Sequence, residues 1–279
     1  MRRALVLAYD GRRFHGSALQ PHVATVAGSL VRGLELLRVD MSEFAMAGRT
    51  DAGVHARSQV ISFASADVRD GTWPRLHALL ADGIMLRSVV LVPPEFHARH
   101  SACWRQYLYR IRRGSHDPLF PSAWQLTDEL DRGAMAELAA YLLTVDDFDA
   151  LCKVNSAGGY RRRIHAIDVI ERAGMIDISV LGVSFCHQMV RRIVGALVRV
   201  GRGRASVSQV AHAVEMHNRG LLSELAPPGG LYLWRVGYSE EWAWAPRLLR
   251  ERGFEQDWAT IGRLELDFPL EWSAECPSD

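Results

Sequence analysis

The chain has 279 residues, 48% of them hydrophobic, which is enough to bury a substantial core and to build two modest domains. No apolar run reaches the roughly eighteen residues that a membrane-spanning helix requires, and no charged-then-apolar leader opens the chain, so a soluble, cytoplasmic protein is expected. The net charge of +1 hides an asymmetry: residues 240 to 279 hold four basic and ten acidic side chains, a balance of −6, which leaves +7 for residues 1 to 239. Nearly all of that positive charge is arginine, Lys153 being the sole lysine, and the planar guanidinium fork suits phosphate recognition. The four cysteines, Cys103, Cys152, Cys186 and Cys276, form no CxxC pair, which argues against a zinc site or a disulfide framework and predicts packed thiols.

Arg3 to Tyr9 is a short, nearly continuous apolar run closed by Asp10-Gly11, a pattern that predicts a buried strand and a turn. Thr25 is placed to cap a helix whose Val26, Leu30, Val31, Leu34 and Leu37 recur at helical spacing. A strand over 59–63, a helix over 73–80 and a strand over 84–92 follow, giving an α+β unit in about ninety residues. In the second half, 105–112 predicts a strand with Tyr107, Tyr109 and Ile111 on one face. A helix over 131–143 has Met135, Leu138 and Leu142 inward, and paired strands over 164–171 and 174–181 flank a turn. A wide apolar stripe from about Ser184 to Val200 predicts a helix buried along most of its length, with Arg191 beside the stripe. Ser206 to Gln209 fits a capping box for a last helix ending near Gly220.

One stretch stands out, Gly48-Arg49-Thr50-Asp51-Ala52-Gly53-Val54-His55-Ala56, where an arginine, a hydroxyl and a carboxylate occupy successive positions between glycines. A lone Thr-Asp-x-Gly is an ordinary capped loop, but the nine-residue string resembles the signature of the tRNA pseudouridine synthase A family. Other stretches agree in order: Leu7-Ala8-Tyr9-Asp10-Gly11 with Phe14-His15-Gly16, then Phe96-His97-Ala98-Arg99 with Arg105-Gln106-Tyr107-Leu108-Tyr109. Phe185 with Met189-Val190-Arg191 and Ile193-Val194-Gly195, and finally Ala226-Pro227 with Gly230-Leu231-Tyr232-Leu233, complete a resemblance that extends from residue 4 to about 238. Three positions depart from it: Ser17-Ala18 where Trp-Gln is usual, Gly83-Ile84 where Asp-Ile is common, and Gln188 where the family helix carries histidine.

The resemblance implies a pseudouridine synthase fold of two similar, RRM-like sheet-and-helix domains around a central cleft. The first domain is expected over residues 1–100 with the Asp51 loop, the second over 101–239 with the Tyr107 strand and the Arg191 helix. It further implies isomerisation of uridine to pseudouridine in the anticodon arm of transfer RNA, at family positions 38 to 40, by a homodimer that needs no cofactor or metal. The absence of a phosphate loop, a dinucleotide fingerprint and clustered metal ligands agrees with this, His97-x-x-His100 being read as two ordinary loop histidines. By the same resemblance, Asp51 either attacks C1′ or removes a sugar proton, and Arg191 is the opposite charge that makes burial of the carboxylate tolerable. Tyr107 is implied to stack on the target base and to assist departure of its C5 proton.

A uridine inside a stem must be flipped out before its sugar can be reached, and Arg49 is the candidate to fill the gap. Thr50, His55 and Arg57 are candidates for nearby RNA contacts, and Arg12, Arg13, Arg161, Arg162, Arg163, Arg202 and Arg204 for a phosphate track. Residues 240–279 lie beyond the resemblance and hold Trp242, Trp244, Trp258 and Trp272 among acids, a composition too aromatic for simple disorder and expected to fold back on the body or on a dimer partner. Two alternatives stay open: the same isomerisation of a free uridine nucleotide or another RNA, and a catalytically silent RNA-binding protein.

Overall fold

The structure, a computed structural model, describes residues 1–239 except 67, 116, 117, 119–121, 155–158 and 173; the acidic, tryptophan-rich stretch over 240–279 lies outside the described residues. Nine strands form one mixed sheet in the order β4-β1-β3-β9-β5-β8-β7, with β2 added beside β3 and β6 beside β5. The first half supplies β1 (Arg2–Tyr9), α1 (Val26–Leu36), β2 (Ser42–Met46), β3 (His55–Ala64), α2 (Thr72–Leu79) and β4 (Ile84–Val92). The second supplies β5 (Ala102–Arg113), β6 (Trp124–Leu126), α3 (Arg132–Leu142), β7 (Ile164–Arg172), β8 (Met175–Gly182), α4 (Met189–Gly201), α5 (Val207–Glu215) and β9 (Leu231–Tyr238).

The near-continuous apolar run of β1 has a direct cause. It lies between β3 and β4 with both faces covered, Leu5, Leu7 and Tyr9 on the helical side and Ala4 and Val6 on the other. All five helices contribute to the core on the first side. Across the second side runs the 93–101 connection, where Phe96 and Ala98 are buried, the Ala98 amide donates to Ser62 Oγ at 2.9 Å and Tyr238 donates to the Ala98 carbonyl at 2.8 Å. Arg105, itself buried, donates to the carbonyls of Ala47, Ala102, Val183 and Arg99, so its charge is solvated by backbone dipoles from four places in the chain.

Capping follows the sequence closely. Thr25 accepts from the Gly28 amide, Asp131 from the Ala134 amide, and Ser206 and Gln209 close a reciprocal capping box. Helix α4 departs from expectation: it begins at Met189 rather than near Ser184, because Gln188 takes a left-handed φ of 65° and breaks the run. Helix α5 stops at Glu215, short of Gly220. Strands β2 and β6 were not expected, the one having an exposed first half and the other only three residues. The packed-thiol expectation also needs correction, since Cys152 and Cys186 are paired as a disulfide with Cα atoms 6.0 Å apart, a pairing that 33 intervening residues conceal in the sequence.

The halves meet where β3 and β9 run parallel, an alignment confined to His55 opposite Tyr232 and Ala56 opposite Leu233. All other joints along the main order are antiparallel. The Asp51 loop enters β3 at this seam, and the segment preceding β9 arrives beside it.

Candidate functional site

The loop that displays Asp51 is clamped on both flanks. On one side, Gln59 donates to the Gly48 carbonyl at 2.6 Å and accepts from the Gly48 amide at 3.3 Å. Thr50 is buried; its hydroxyl lies 2.8 Å from that of Tyr9, and its amide donates to Ser17 Oγ at 2.8 Å. The Ser17 amide in turn donates to the Thr50 carbonyl at 3.0 Å. On the other side, Gly53 takes a φ of 81° and donates to the Gly11 carbonyl at 3.2 Å, while the Val54 amide reaches back to the Asp51 carbonyl at 3.1 Å. A side chain at position 53 would have to adopt a backbone conformation that L-residues disfavour. With its neighbours held in this way, the Asp51 carboxylate has little freedom of position, and its side chain remains 30% exposed.

Two nitrogen-bearing side chains flank that carboxylate. Arg191 Nη1 lies 3.2 Å from Oδ2 and His187 Nε2 lies 3.2 Å from Oδ1. Arg191 sits in the first turn of α4 with its side chain 11% exposed, and its Nε donates to the Ala226 carbonyl at 2.7 Å. The Ala226 amide returns a bond to the Arg191 carbonyl at 3.2 Å. This close approach depends on Gly195, where a Cβ would stand 2.3 Å from the Glu224 carbonyl oxygen. The guanidinium is therefore fixed from behind before it meets Asp51, and the amino-terminal end of α4 adds its positive dipole on the same side.

Tyr107, on β5, is 8% exposed, meets Phe185 edge-on at 5.0 Å, and its hydroxyl is 3.4 Å from where a Cβ on Gly48 would lie. Burial pushes its pKa well above the ordinary phenol value; Arg105 works against that shift, whereas Tyr9 and the Asp51 charge add to it. The phenol thus stays protonated at neutral pH and lies within electrostatic reach of Asp51. Tyr109, on the same strand face, is core, its hydroxyl donating to the Pro227 carbonyl at 2.9 Å. The three residues singled out for catalysis therefore converge, with Asp51 on the loop at the seam, Arg191 on α4 and Tyr107 on β5.

The other candidates divide. Arg49 is exposed beside Asp51. Thr50 is committed to holding the loop and His55 to the core. The His55 imidazole is buried, stacked on Tyr232 at 4.7 Å, accepts from the Gly11 amide at 3.3 Å and has Nε2 3.1 Å from the Gly229 carbonyl. Burial lowers the His55 pKa, Asp10 opposes and Arg12 adds to the shift, so the ring is neutral and donates through Nε2. Arg57 lies on the sheet face opposite α4, over the Trp234 ring at 4.7 Å, its pKa pushed down to about 10 by burial and by Arg87 and Arg235. Thr50 and His55 are thus enclosed by partners within the protein, and the Arg57 guanidinium belongs to the other side of the sheet.

Arg202 is enclosed as well. Its side chain is 10% exposed, it bridges Asp128 at 2.8 Å and Glu224 at 3.1 Å, and it covers the Trp124 ring, so its charge is neutralised inside the protein. Arg12 is drawn into a fork with Asp10, and Arg13 lies 3.6 Å from Asp82. Arg161 and Arg163 are exposed, Arg162 is half-buried and donates to the Arg161 carbonyl at 2.6 Å, and Arg204 is largely exposed at 3.9 Å from Asp128. His97 accepts from the Arg99 and His100 amides and so caps its own turn. Among the described residues no group of three His, Cys, Asp or Glu side chains could hold a metal ion, and no helix is long and apolar enough to cross a membrane.

Sequence reasoning missed His187, Ser17 and Gln59. His187 lies outside α4, beyond the left-handed turn at Gln188, so no helical spacing in the string announces its approach to Asp51. Ser17 had drawn attention only as a departure from the family pattern; buried against Thr50, it is part of what positions the loop.

Comparison with known proteins assigns the chain carrying this aspartate and arginine to a class. The family model described as tRNA pseudouridine synthase matches residues 138–239. Over nearly the whole body the chain is 34% identical to tRNA pseudouridine synthase A of Bacillus licheniformis, covering 85% of this chain and 99% of that protein. It is 37% identical to the protein of the same name from Neisseria meningitidis serogroup C, covering 86% and 92%, and 36% identical to that from Thermosipho africanus, covering 84% and 98%. The chain belongs to the tRNA pseudouridine synthase A family, and is by that membership an isomerase.

Proposed function

We propose that this protein isomerises uridine to pseudouridine in the anticodon arm of transfer RNA, at positions 38 to 40, through Asp51 and without a cofactor. The observation that carries the reading is the ion pair between Asp51 and Arg191, formed across the seam by a loop and a helix that are each independently anchored. In the reaction the C1′–N1 bond breaks, the base turns, C1′ joins C5, the C5 proton leaves and N1 gains one, so nothing is oxidised and no group is lost. Asp51, placed between Arg191 and His187, either bonds to C1′ or takes a proton from the sugar. The Tyr107 phenol, kept protonated by burial, packs against the base and passes a proton rather than serving as an anionic base. Exposed Arg49 enters the stack left by the flipped nucleotide, and Arg13, Arg161, Arg163 and Arg204 guide the phosphates.

The reading extends to architecture. Residues 1–100 and 101–239 act as two similar sheet-and-helix domains joined at the β3–β9 seam, the protein acts in the cytoplasm, and two copies share one transfer RNA. The test is tritium release from transfer RNA labelled at C5 of uridine, beside labelled UMP. Release from the RNA alone is expected; release from UMP at an equal rate transfers the activity to a free nucleotide, and release from neither overturns the proposal.

A further inference from the structure

We propose that His187 is a positioning residue for the reacting carboxylate, holding the oxygen of Asp51 that Arg191 leaves open. The inference rests on Asp51 being the reacting group. The two side chains divide the carboxylate between them, Nη1 of Arg191 at 3.2 Å from Oδ2 and Nε2 of His187 at 3.2 Å from Oδ1. Arg191 closes the inner side, being nearly buried and bound to the Ala226 carbonyl. His187 is 46% exposed, so Oδ1 is the oxygen on the open side, where a flipped nucleotide would enter.

His187 is unlike a loose surface side chain because its backbone is fixed on every side. Its carbonyl accepts from the Lys153 amide at 2.9 Å, Cys186 before it is bridged to Cys152, and Gln188 after it adopts the left-handed conformation that starts α4. A glutamine at φ 65° carries a backbone penalty that a conventional helix start would avoid. What that turn achieves is to bring the imidazole, four residues before Arg191, onto the same carboxylate.

A terminal carboxylate torsion is soft and roughly two-fold, so an Asp51 held by one oxygen alone would spread over orientations that do not face the sugar. A second side-chain nitrogen 3.2 Å from the other oxygen restricts that freedom, and misplacement of a reacting group by about 1 Å can cost on the order of a hundredfold in rate. An uncharged N–H suffices for this task. Glutamine, whose amide nitrogen reaches as far along the side chain as Nε2, should therefore replace histidine, whereas alanine should not. Because the contact orients Asp51 and does not grip RNA, its loss belongs in kcat rather than KM.

The experiment measures steady-state tritium release from C5-labelled transfer RNA by the full chain, wild type beside His187→Ala, His187→Gln and Asp51→Ala, each checked for an unchanged urea midpoint. The expected result is a kcat about 10- to 100-fold lower in His187→Ala with KM within about threefold of wild type, and recovery to within about threefold in His187→Gln. A normal kcat in His187→Ala, a change confined to KM, or a glutamine variant as slow as the alanine variant overturns the inference. Asp51→Ala separates the two levels: if it turns over normally, the Asp51 reading itself has failed, and if it is inactive while His187→Ala is normal, only the role of His187 has. Should His187→Ala prove unfolded, the glutamine variant and His187→Phe, which keeps the ring volume without the donor, make the same comparison.

Discussion

Replacing Arg191 by alanine removes the guanidinium that pairs with the Asp51 carboxylate, and the size of the effect can be worked from the contacts. The guanidinium makes one bond to the Asp51 carboxylate at 3.2 Å and one to the Ala226 carbonyl at 2.7 Å. Breaking a fully buried ion pair by removing one member costs about 3–5 kcal/mol. Asp51 is 30% exposed and keeps His187 at 3.2 Å, which brings the expected loss to about 2–3 kcal/mol, within the range for a hydrogen bond to a charged group plus a partly stranded carboxylate. Expressed on the reaction barrier at 1.36 kcal/mol per decade, Arg191→Ala should be slower by about 30- to 150-fold. Arg191→Lys should fall between, near tenfold, because an ammonium supplies the charge but cannot meet Ala226 and Asp51 together in the planar geometry of the fork. The assay is single-turnover tritium release from C5-labelled transfer RNA with enzyme in excess, read beside a urea unfolding curve. A rate for Arg191→Ala within threefold of wild type, in a protein with an unchanged midpoint, would refute the reasoning.

Three further outcomes follow from the site and its surroundings. Arg202→Ala should lower stability by about 2–4 kcal/mol in urea denaturation, since it strands Asp128 and Glu224 around a nearly buried position, while leaving the affinity of the folded protein for transfer RNA unchanged; weakened RNA binding with normal stability would restore Arg202 to the phosphate track. Arg49→Ala should slow single turnover on transfer RNA by about tenfold with little effect on the unfolding midpoint, as suits an exposed side chain that acts only on a flipped nucleotide, and an unchanged rate would remove it from that role. The His55 pKa is lowered in the folded state, chiefly by burial, so the unfolded chain binds the extra proton first: the stability associated with the neutral ring is complete above the unfolded value near 6.5 and is lost as pH falls from there toward the folded value. His55→Asn should therefore show a shallower fall in unfolding free energy between about pH 6.5 and 5 than wild type, by up to about 1.4 kcal/mol per pH unit, and identical slopes would contradict the assignment of a buried neutral imidazole.

How much of this was legible in the sequence depended on how local the cause was. Helix caps at Thr25 and Ser206 lie within three residues of the amides they satisfy, so they could be read directly. The alternation of Tyr107, Tyr109 and Ile111 likewise reported a real strand face. The start of α4 was misplaced because the apolar stripe continues through Phe185, and only the backbone at Gln188 reveals that the chain turns there before the helix begins. The surroundings of Thr50, His55 and Arg202 were hidden for a related reason: a polar residue beside a motif has the same letter whether it faces solvent or closes a buried contact, and their partners, Ser17, Tyr232 and Glu224, lie far away along the chain. Convergence of Asp51, Tyr107 and Arg191 was suggested by family resemblance alone. The geometry supplies its physical basis in the Gly195 crossing and the Gln59 clamp, neither of which any local pattern announces.

The most direct test of the account is to compare Asp51→Ala with wild type in two measurements on one preparation, tritium release from C5-labelled transfer RNA and affinity for the same RNA. The account predicts no release above background together with an affinity within about threefold of wild type, since the carboxylate acts on the sugar while exposed arginines hold the phosphates. Release at the wild-type rate from Asp51→Ala would contradict it.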